Sequence, residues 1–227
     1  MASKPGVSDP APGQPRPGGP AGVPPCPPAG RRDAVRNYHR VLDAAREVLG
    51  ESGADASMEE IAARAGVGIG TVYRRFANKD ALIDELLRLS LAEGLEAARQ
   101  ALAAPGGTGL EQFMRGLGAM FAAHARYANL LLERSADAPA AREIRAAVEQ
   151  LTARALAAGT LNQGVTYGDV MALIWAMRGL TEVTGGVAPG TWQRFLDIHL
   201  VGLCAPGTLS ATPSLSPGEL AELIPRP

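Results

Sequence analysis

The stretch Ser57-Met58-Glu59-Glu60-Ile61-Ala62-Ala63-Arg64-Ala65-Gly66-Val67-Gly68-Ile69-Gly70-Thr71-Val72-Tyr73-Arg74-Arg75-Phe76 holds two short helical patterns with a glycine turn between them. Ser57 followed by Glu60 three residues on is a capping-box arrangement, which opens a helix running to about Arg64. Ala65-Gly66-Val67-Gly68 makes a tight turn, and a second helix runs roughly from Ile69 to Phe76. Two such helices cross steeply only if their backbones come close. Ala62 is small at the crossing, and Gly66 takes the positive φ that the turn demands. Ile61, Val67, Val72 and Phe76 are apolar at inward positions, which leaves Gly68, Ile69, Gly70, Thr71, Tyr73, Arg74 and Arg75 outward.

That outward surface has the chemistry of a major-groove reader. Gly68 and Gly70 let backbone N–H groups approach phosphate. Thr71 and Tyr73 offer hydroxyls to phosphate oxygens, while Arg74 or Arg75 reaches base edges or backbone. Arginine on guanine is the commonest direct readout, worth ~1–3 kcal/mol of discrimination. Ser57 joins these as a candidate contact, and Lys79 is placed to clamp a flanking phosphate. Residues 31–79 hold nine Arg or Lys against seven acids, a small local excess in a chain of net charge -1. Any DNA-binding surface is therefore a patch, without a global basic field. Arg31, Arg32 and Arg36 sit where an N-terminal arm meets the first helix, within reach of an adjacent minor groove.

Working outward, Asp33 or Asn37 caps a first helix with Val35, Tyr38, Val41, Leu42, Ala45, Val48 and Leu49 on one stripe. It ends over Gly50 to Asp55, where Gly53 suits a left-handed cap. Asn78 caps a long fourth helix from about Lys79 to Ala103, with Leu82, Ile83, Leu86, Leu87, Leu91 and Leu95 inward. After the break at Pro105-Gly106-Gly107, helices are expected near 109–126, 127–135, 139–159, 166–185 and 189–204. No alternating strand pattern is present. Residues 1–30 hold ten prolines and six glycines, the composition of a disordered arm. Five prolines punctuate 205–227, which is expected to be a flexible tail with at most a turn of helix from Glu219 to Ile224. The organisation is thus all-α: an arm over 1–30, a three-helix helix-turn-helix domain over 31–95, a helical domain over 96–204 and a tail over 205–227.

Composition and spacing exclude several classes. His39, His124 and His199 are isolated, and Cys26 and Cys204 give neither a disulfide framework nor zinc-ligand spacing. No phosphate-cradling glycine loop or nucleophile elbow occurs, so an enzyme is not expected and no cofactor or metal is implied. No stretch has the ~18 apolar residues of a membrane span, and the N-terminus lacks an apolar targeting core. The expected location is the cytoplasm. Of the 22 basic residues 20 are arginine, and with abundant Ala, Gly and Pro this points to a GC-rich genome.

The run Ile61-Ala62-x-x-Ala65-Gly66-Val67-x-x-Gly70-Thr71-Val72-Tyr73-x-x-Phe76-x-x-Lys79-x-x-Leu82, within Asp33 to Leu87, resembles the DNA-binding domain of TetR-type regulators, and Arg31-Arg32-Asp33 resembles actinobacterial members. By that resemblance Ile69, Gly70, Thr71, Tyr73 and Arg75 take recognition-helix contact positions and Lys79 the phosphate clamp. Two residues depart from it. Ile69 stands where some relatives carry a polar base reader, shifting specificity onto Arg75, Arg74 and contacts with thymine methyls. Glu59 is acidic where a cation helps some relatives.

The resemblance further implies a C-terminal domain that dimerises and binds a small apolar or amphipathic effector. The last two predicted helices carry more apolar residues than one face buries. Leu173, Leu180, Trp192, Phe195, Leu196, His199 and Leu203 are the candidates for contact with a second copy, part of the set being ordinary core. Phe113, Met114, Leu117, Met120, Phe121, His124 and Trp175 are candidate effector-pocket walls, with Arg178 and His124 as polar orienting groups. The same stripe also suits plain core. The reading is a double-stranded-DNA-binding homodimer, and its competitor is a helical protein-interaction adaptor with a relict DNA-binding head.

Overall fold

An apolar stripe at Val41, Leu42, Ala45, Val48 and Leu49, each no more than 3% exposed, seats α1 (Ala29–Ser52) against the next three helices. The computed structural model describes residues 1, 29–125, 127, 131, 134–135 and 138–223, and among these every regular element is helical. A single 3-10 turn at Gly53–Asp55, with Gly53 at φ +56°, leads into α2 (Met58–Ala65) and α3 (Ile69–Arg75). α4 (Lys79–Ala103) follows, capped by Asn78, whose Oδ1 accepts the Ala81 N–H at 2.8 Å. Beyond it come α5 (Gly109–His124), α6 (Pro139–Ala157), α7 (Tyr167–Thr184), α8 (Thr191–Cys204) and α9 (Pro217–Leu223).

Two hydrophobic cores result, and α4 belongs to both. Its first half supplies Leu82, Ile83 and Leu86 to the head core; its second half supplies Ala98 and Ala101 to the C-terminal core. Leu87, Leu91 and Leu95, expected inward, are only half-buried. The reason is the hand-over between cores. Past Leu86 the helix packs most closely against α6 through small residues, Gly94 lying 3.2 Å from the Ile144 Cδ1 at its would-be Cβ.

Three other expectations are corrected. α1 starts at Ala29, so Asp33 caps nothing and instead pairs with Arg36 along the helix, while Val35 lies ahead of the packed region and is exposed. The tail expected to be flexible folds back as far as Leu223. Asn162 Nδ2 donates to the Ala205 and Gly207 carbonyls at 2.8 and 2.9 Å, and Thr166 Oγ1 donates to Ser214 Oγ at 2.7 Å. Ser216 and Glu219 form a capping box and Leu220 is 5% exposed in the C-terminal core, an apolar anchor that the proline count concealed. Of the helix expected over 127–135, only Tyr127, Leu131, Arg134 and Ser135 are described. Tyr127 and Leu131 are buried in the head core, and Arg134 pairs with Asp80 and Asp84 of α4. The arm at 2–28 lies outside the described residues.

Within the C-terminal domain, α5, α7 and α8 meet around Gly118. A Cβ there would fall 2.4 Å from Trp192 Cε3 and 3.0 Å from Met177 Sδ, both side chains being buried. Neither neighbour has room to retreat. Gly118→Ala is therefore expected to lower unfolding stability by ~1–3 kcal/mol, the usual cost of overpacking, as read by urea denaturation. An unchanged midpoint would show that the α5–α8 contact is looser than described.

Candidate DNA-binding site

The head presents α3 on a frame that is locked from behind. Ser57 caps α2, its Oγ accepting the Glu60 N–H at 3.1 Å while Glu60 Oε2 accepts the Ser57 N–H at 2.9 Å. These bonds hold the Glu60 carboxyl below its ordinary range. Gly66 takes the left-handed conformation, φ 62° and ψ 40°, and its N–H closes α2 on Ala62 and Ala63. Val67 N–H then bonds to the Ala62 carbonyl at 3.1 Å, so the turn is fixed by backbone alone. Ile61 and Val72 are fully buried and Phe76 nearly so, with Val67 half-buried beside them. Side chains tie the frame to α1. Arg64 bridges Glu47 and Glu51, and Arg40 Nη2 donates to the Gly66 carbonyl at 3.3 Å. Arg40, missed in the sequence, has no signal short of knowing that α1 passes beneath the turn.

Burying Val72 fixes which residues face outward. At about 100° per residue, positions two before and two after lie nearly opposite it. Those positions are Gly70 and Arg74. Arg74 is exposed and, among the described residues, forms no ion pair. A Cβ on Gly68 or Gly70 would meet nothing within 4 Å, so packing within the chain does not require glycine at either.

The two flanks of α3 are engaged differently. Towards α2 stand Ile69, 37% exposed, and Tyr73, whose hydroxyl donates to Glu59 Oε1 at 3.5 Å. Towards α1 stand half-buried Thr71 and exposed Arg75, whose guanidinium lies 4.9 Å from the Tyr38 ring centroid. Tyr38 itself donates to Glu85, which Arg88 grips at 2.7 Å and holds down to about 2. Arg75, though exposed, thus leans back towards α1, whereas Arg74 points directly away from the core. Lys79 Nζ donates to the Ala56 carbonyl at 3.1 Å, bracing α4 against the start of α2. Arg31 and Arg32 lie in the first turn of α1.

In the C-terminal domain seven of the eight candidate pocket residues come together. Phe113, Leu117, Met120, Phe121, Trp175 and Arg178 line a cavity of about 330 Å³, and Met120, Phe121, Arg178 and His124 line an adjoining one of about 130 Å³. Met114 does not reach either; at 1% exposure it faces the core. Leu91, Ile144 and Met171 are among the further wall residues that were missed, since each sits on a helix whose pocket-facing side is set by tertiary packing. His124 Nδ1 lies 3.3 Å from Ser90 Oγ, and burial pushes its pKa down, favouring the neutral ring.

The candidate dimer residues divide. Leu173, Trp192 and Leu196 are buried within the chain's own core, because Trp192 fills the notch at Gly118. Leu180, Phe195 and Leu203 are half-buried and His199 exposed. Val183, Val187, Ile198 and Val201, on or just beyond the packed pair α7 and α8, are large apolar side chains left in solvent, as are Leu209 and Leu223 further on.

A helix-turn-helix on a buried three-helix frame, joined by one helix to a larger helical domain, defines a DNA-binding regulator. Residues 41–86 match the family model of the bacterial regulatory proteins of the TetR family, and residues 104–205 match the C-terminal domain of SbtR-like transcriptional regulators. The crystal structure of the TetR transcription regulatory protein from Mycobacterium vanbaalenii is similar at 32% identity, with 76% of this chain and 98% of that one covered and a TM-score of 0.54. SCO0520 from Streptomyces coelicolor is similar at 29% identity, covering 73% and 97%, with a TM-score of 0.53. LfrR from Mycobacterium smegmatis, solved in complex with proflavine, shares the fold at 21% identity, over 80% and 99%, with a TM-score of 0.56. The HTH-type transcriptional regulator SAB2452 of Staphylococcus aureus is 40% identical over 53 residues, 23% of this chain and 29% of that protein. The chain belongs to the TetR family; it is a DNA-binding transcriptional regulator and not an enzyme.

Two substitutions test the reading of α3. Arg74→Ala is expected to weaken DNA binding by ~10-fold or more, and by more than Arg75→Ala does. Glu59→Gln removes an anion beside Tyr73 and is expected to strengthen binding severalfold in fluorescence anisotropy at low salt. Equal effects at Arg74 and Arg75, or weaker binding by the Glu59 variant, would contradict the assignment.

Proposed function

We propose that the chain is a sequence-specific repressor that acts in the cytoplasm as a homodimer on a palindromic operator and is released from it by a small ligand. The observation that carries the reading is the outward pole of α3. Gly68, Gly70 and Arg74 form a surface that the chain's own packing does not use, on a frame that burial makes rigid. Backbone N–H groups near the two glycines approach phosphate, Arg74 and Ile69 meet base edges, and Tyr73, Ser57 and Lys79 flank them as backbone contacts. Arg31 and Arg32, at the start of α1, take the adjacent groove.

Dimerisation is supported by the apolar side chains that the chain leaves in solvent. Val183, Val187, Ile198 and Val201 are between 57% and 92% exposed. A two-fold copy that covers them, with Leu180, Phe195, His199 and Leu203 around them, builds a four-helix interface. Two α3 helices then stand ~34–36 Å apart, one turn of DNA. Ligand response is supported by the paired cavities and by the proflavine bound in LfrR. A ligand acts only through its preference for one head spacing over another, and the shift cannot exceed that difference. The route lies on α4, which is common to both cores.

Ile198→Glu/Val201→Glu tests the assembly. The double variant is expected to sediment as a folded monomer, with unchanged helical signal, and to lose the two-half-site footprint on operator DNA. A variant that remains dimeric would place the interface elsewhere.

A further inference from the structure

Arg178 projects from α7 to the junction of the two C-terminal cavities, which share Leu91, Met120, Phe121 and Ile144. Its Nε and Nη1 are buried and, among the described residues, bond to nothing. Buried donors without acceptors are rare, and charged ones cost most. The surroundings offer no relief, since among the described residues neither cavity is lined by an Asp or Glu. His124 adds no charge, its ring being held neutral by burial. Arg145, on the rim of the larger cavity, has interactions of its own. What remains, among the described residues, is a half-buried guanidinium with two unpartnered donors facing walls rich in leucine, isoleucine, methionine and aromatic side chains.

We propose that this site receives a monocarboxylate with an apolar body, its carboxylate on the Arg178 guanidinium and its body against Phe113, Leu117, Met171 and Trp175. The inference rests on the ligand-responsive reading above and gives that ligand its chemical class. One guanidinium balances one negative charge, and a carboxylate accepts from it with short charge-assisted bonds. A phosphate dianion would leave a second charge among apolar side chains. An alcohol would leave the guanidinium unpaired, and an amine would be repelled. Ser90 and Ser135, both at the smaller cavity, supply hydroxyls to the remaining carboxylate lone pairs.

The probes are octanoate and 4-phenylbutyrate, each against its matched primary alcohol, titrated calorimetrically into the full-length protein and into Arg178→Met. Methionine keeps an unbranched apolar stem of similar length without the orphaned donors. Each carboxylate is expected to bind wild type ~10- to 100-fold more tightly than its alcohol, the range of a hydrogen bond to a charged group. Arg178→Met is expected to abolish that preference while unfolding, ligand-free, at no lower temperature than wild type. Equal binding of acid and alcohol, no binding of either acid, or a preference that survives in Arg178→Met overturns the proposal. So does a marked loss of stability in the ligand-free variant, which would reveal a structural partner for the guanidinium. Operator release, measured in parallel by gel shift, separates the two levels. Carboxylate binding that leaves operator affinity unchanged keeps the site and removes the ligand-responsive reading.

Discussion

The packing of α2 and α3 onto α1 is the constraint on which the rest depends. Ile61, Val72 and Phe76 disappear from solvent together, each contributing roughly 1.5–3 kcal/mol. Gly66 is what lets them do so at once, because its φ of 62° reverses the chain within one residue. Burying Val72 leaves Gly70 and Arg74 no direction but outward. The ion pairs from α1 to α2 lie in solvent and are screened by salt, so they register the helices more than they hold them. The reading surface is thus a by-product of the core.

The same economy governs how the two halves of the molecule meet. α4 gives leucines to one core and alanines to the other, so the head cannot rotate without disturbing both. A second connection runs beside it. Tyr127 and Leu131, which follow the pocket helix α5, are buried among head residues, and Arg134 spans Asp80 and Asp84 at the start of α4. The cavity-bearing domain therefore joins the head at two places, through α4 and through the packed segment after α5.

How much of this was legible in the sequence depended on the range of the interaction. Ser57 with Glu60, the Gly66 turn and the Asn78 cap are contacts within four residues, and each stands where the sequence placed it. The inward set of α2 and α3 follows from the period of one helix. Arg75 leans over the ring of Tyr38, 37 residues away, a contact that no local pattern announces. That Leu173, Trp192 and Leu196 are buried in the chain's own core was hidden for a related reason. An apolar stripe does not say whether its partner lies in the same chain, and Gly118 settles that only once α5 is beside α8. Seven of the eight candidate pocket residues line the cavities, because Met and aromatic side chains cluster on α5 and α7. Met114 was lost to a difference of one helical position.

The most direct test of the account is binding of the purified chain to the intergenic DNA upstream of its own gene, by gel shift at two salt concentrations with random-sequence competitor. The account predicts tight binding that survives the competitor and weakens steeply with salt, the signature of phosphate contacts beneath base readout. Binding no tighter than to random DNA would contradict sequence-specific control of that region by the exposed face of α3.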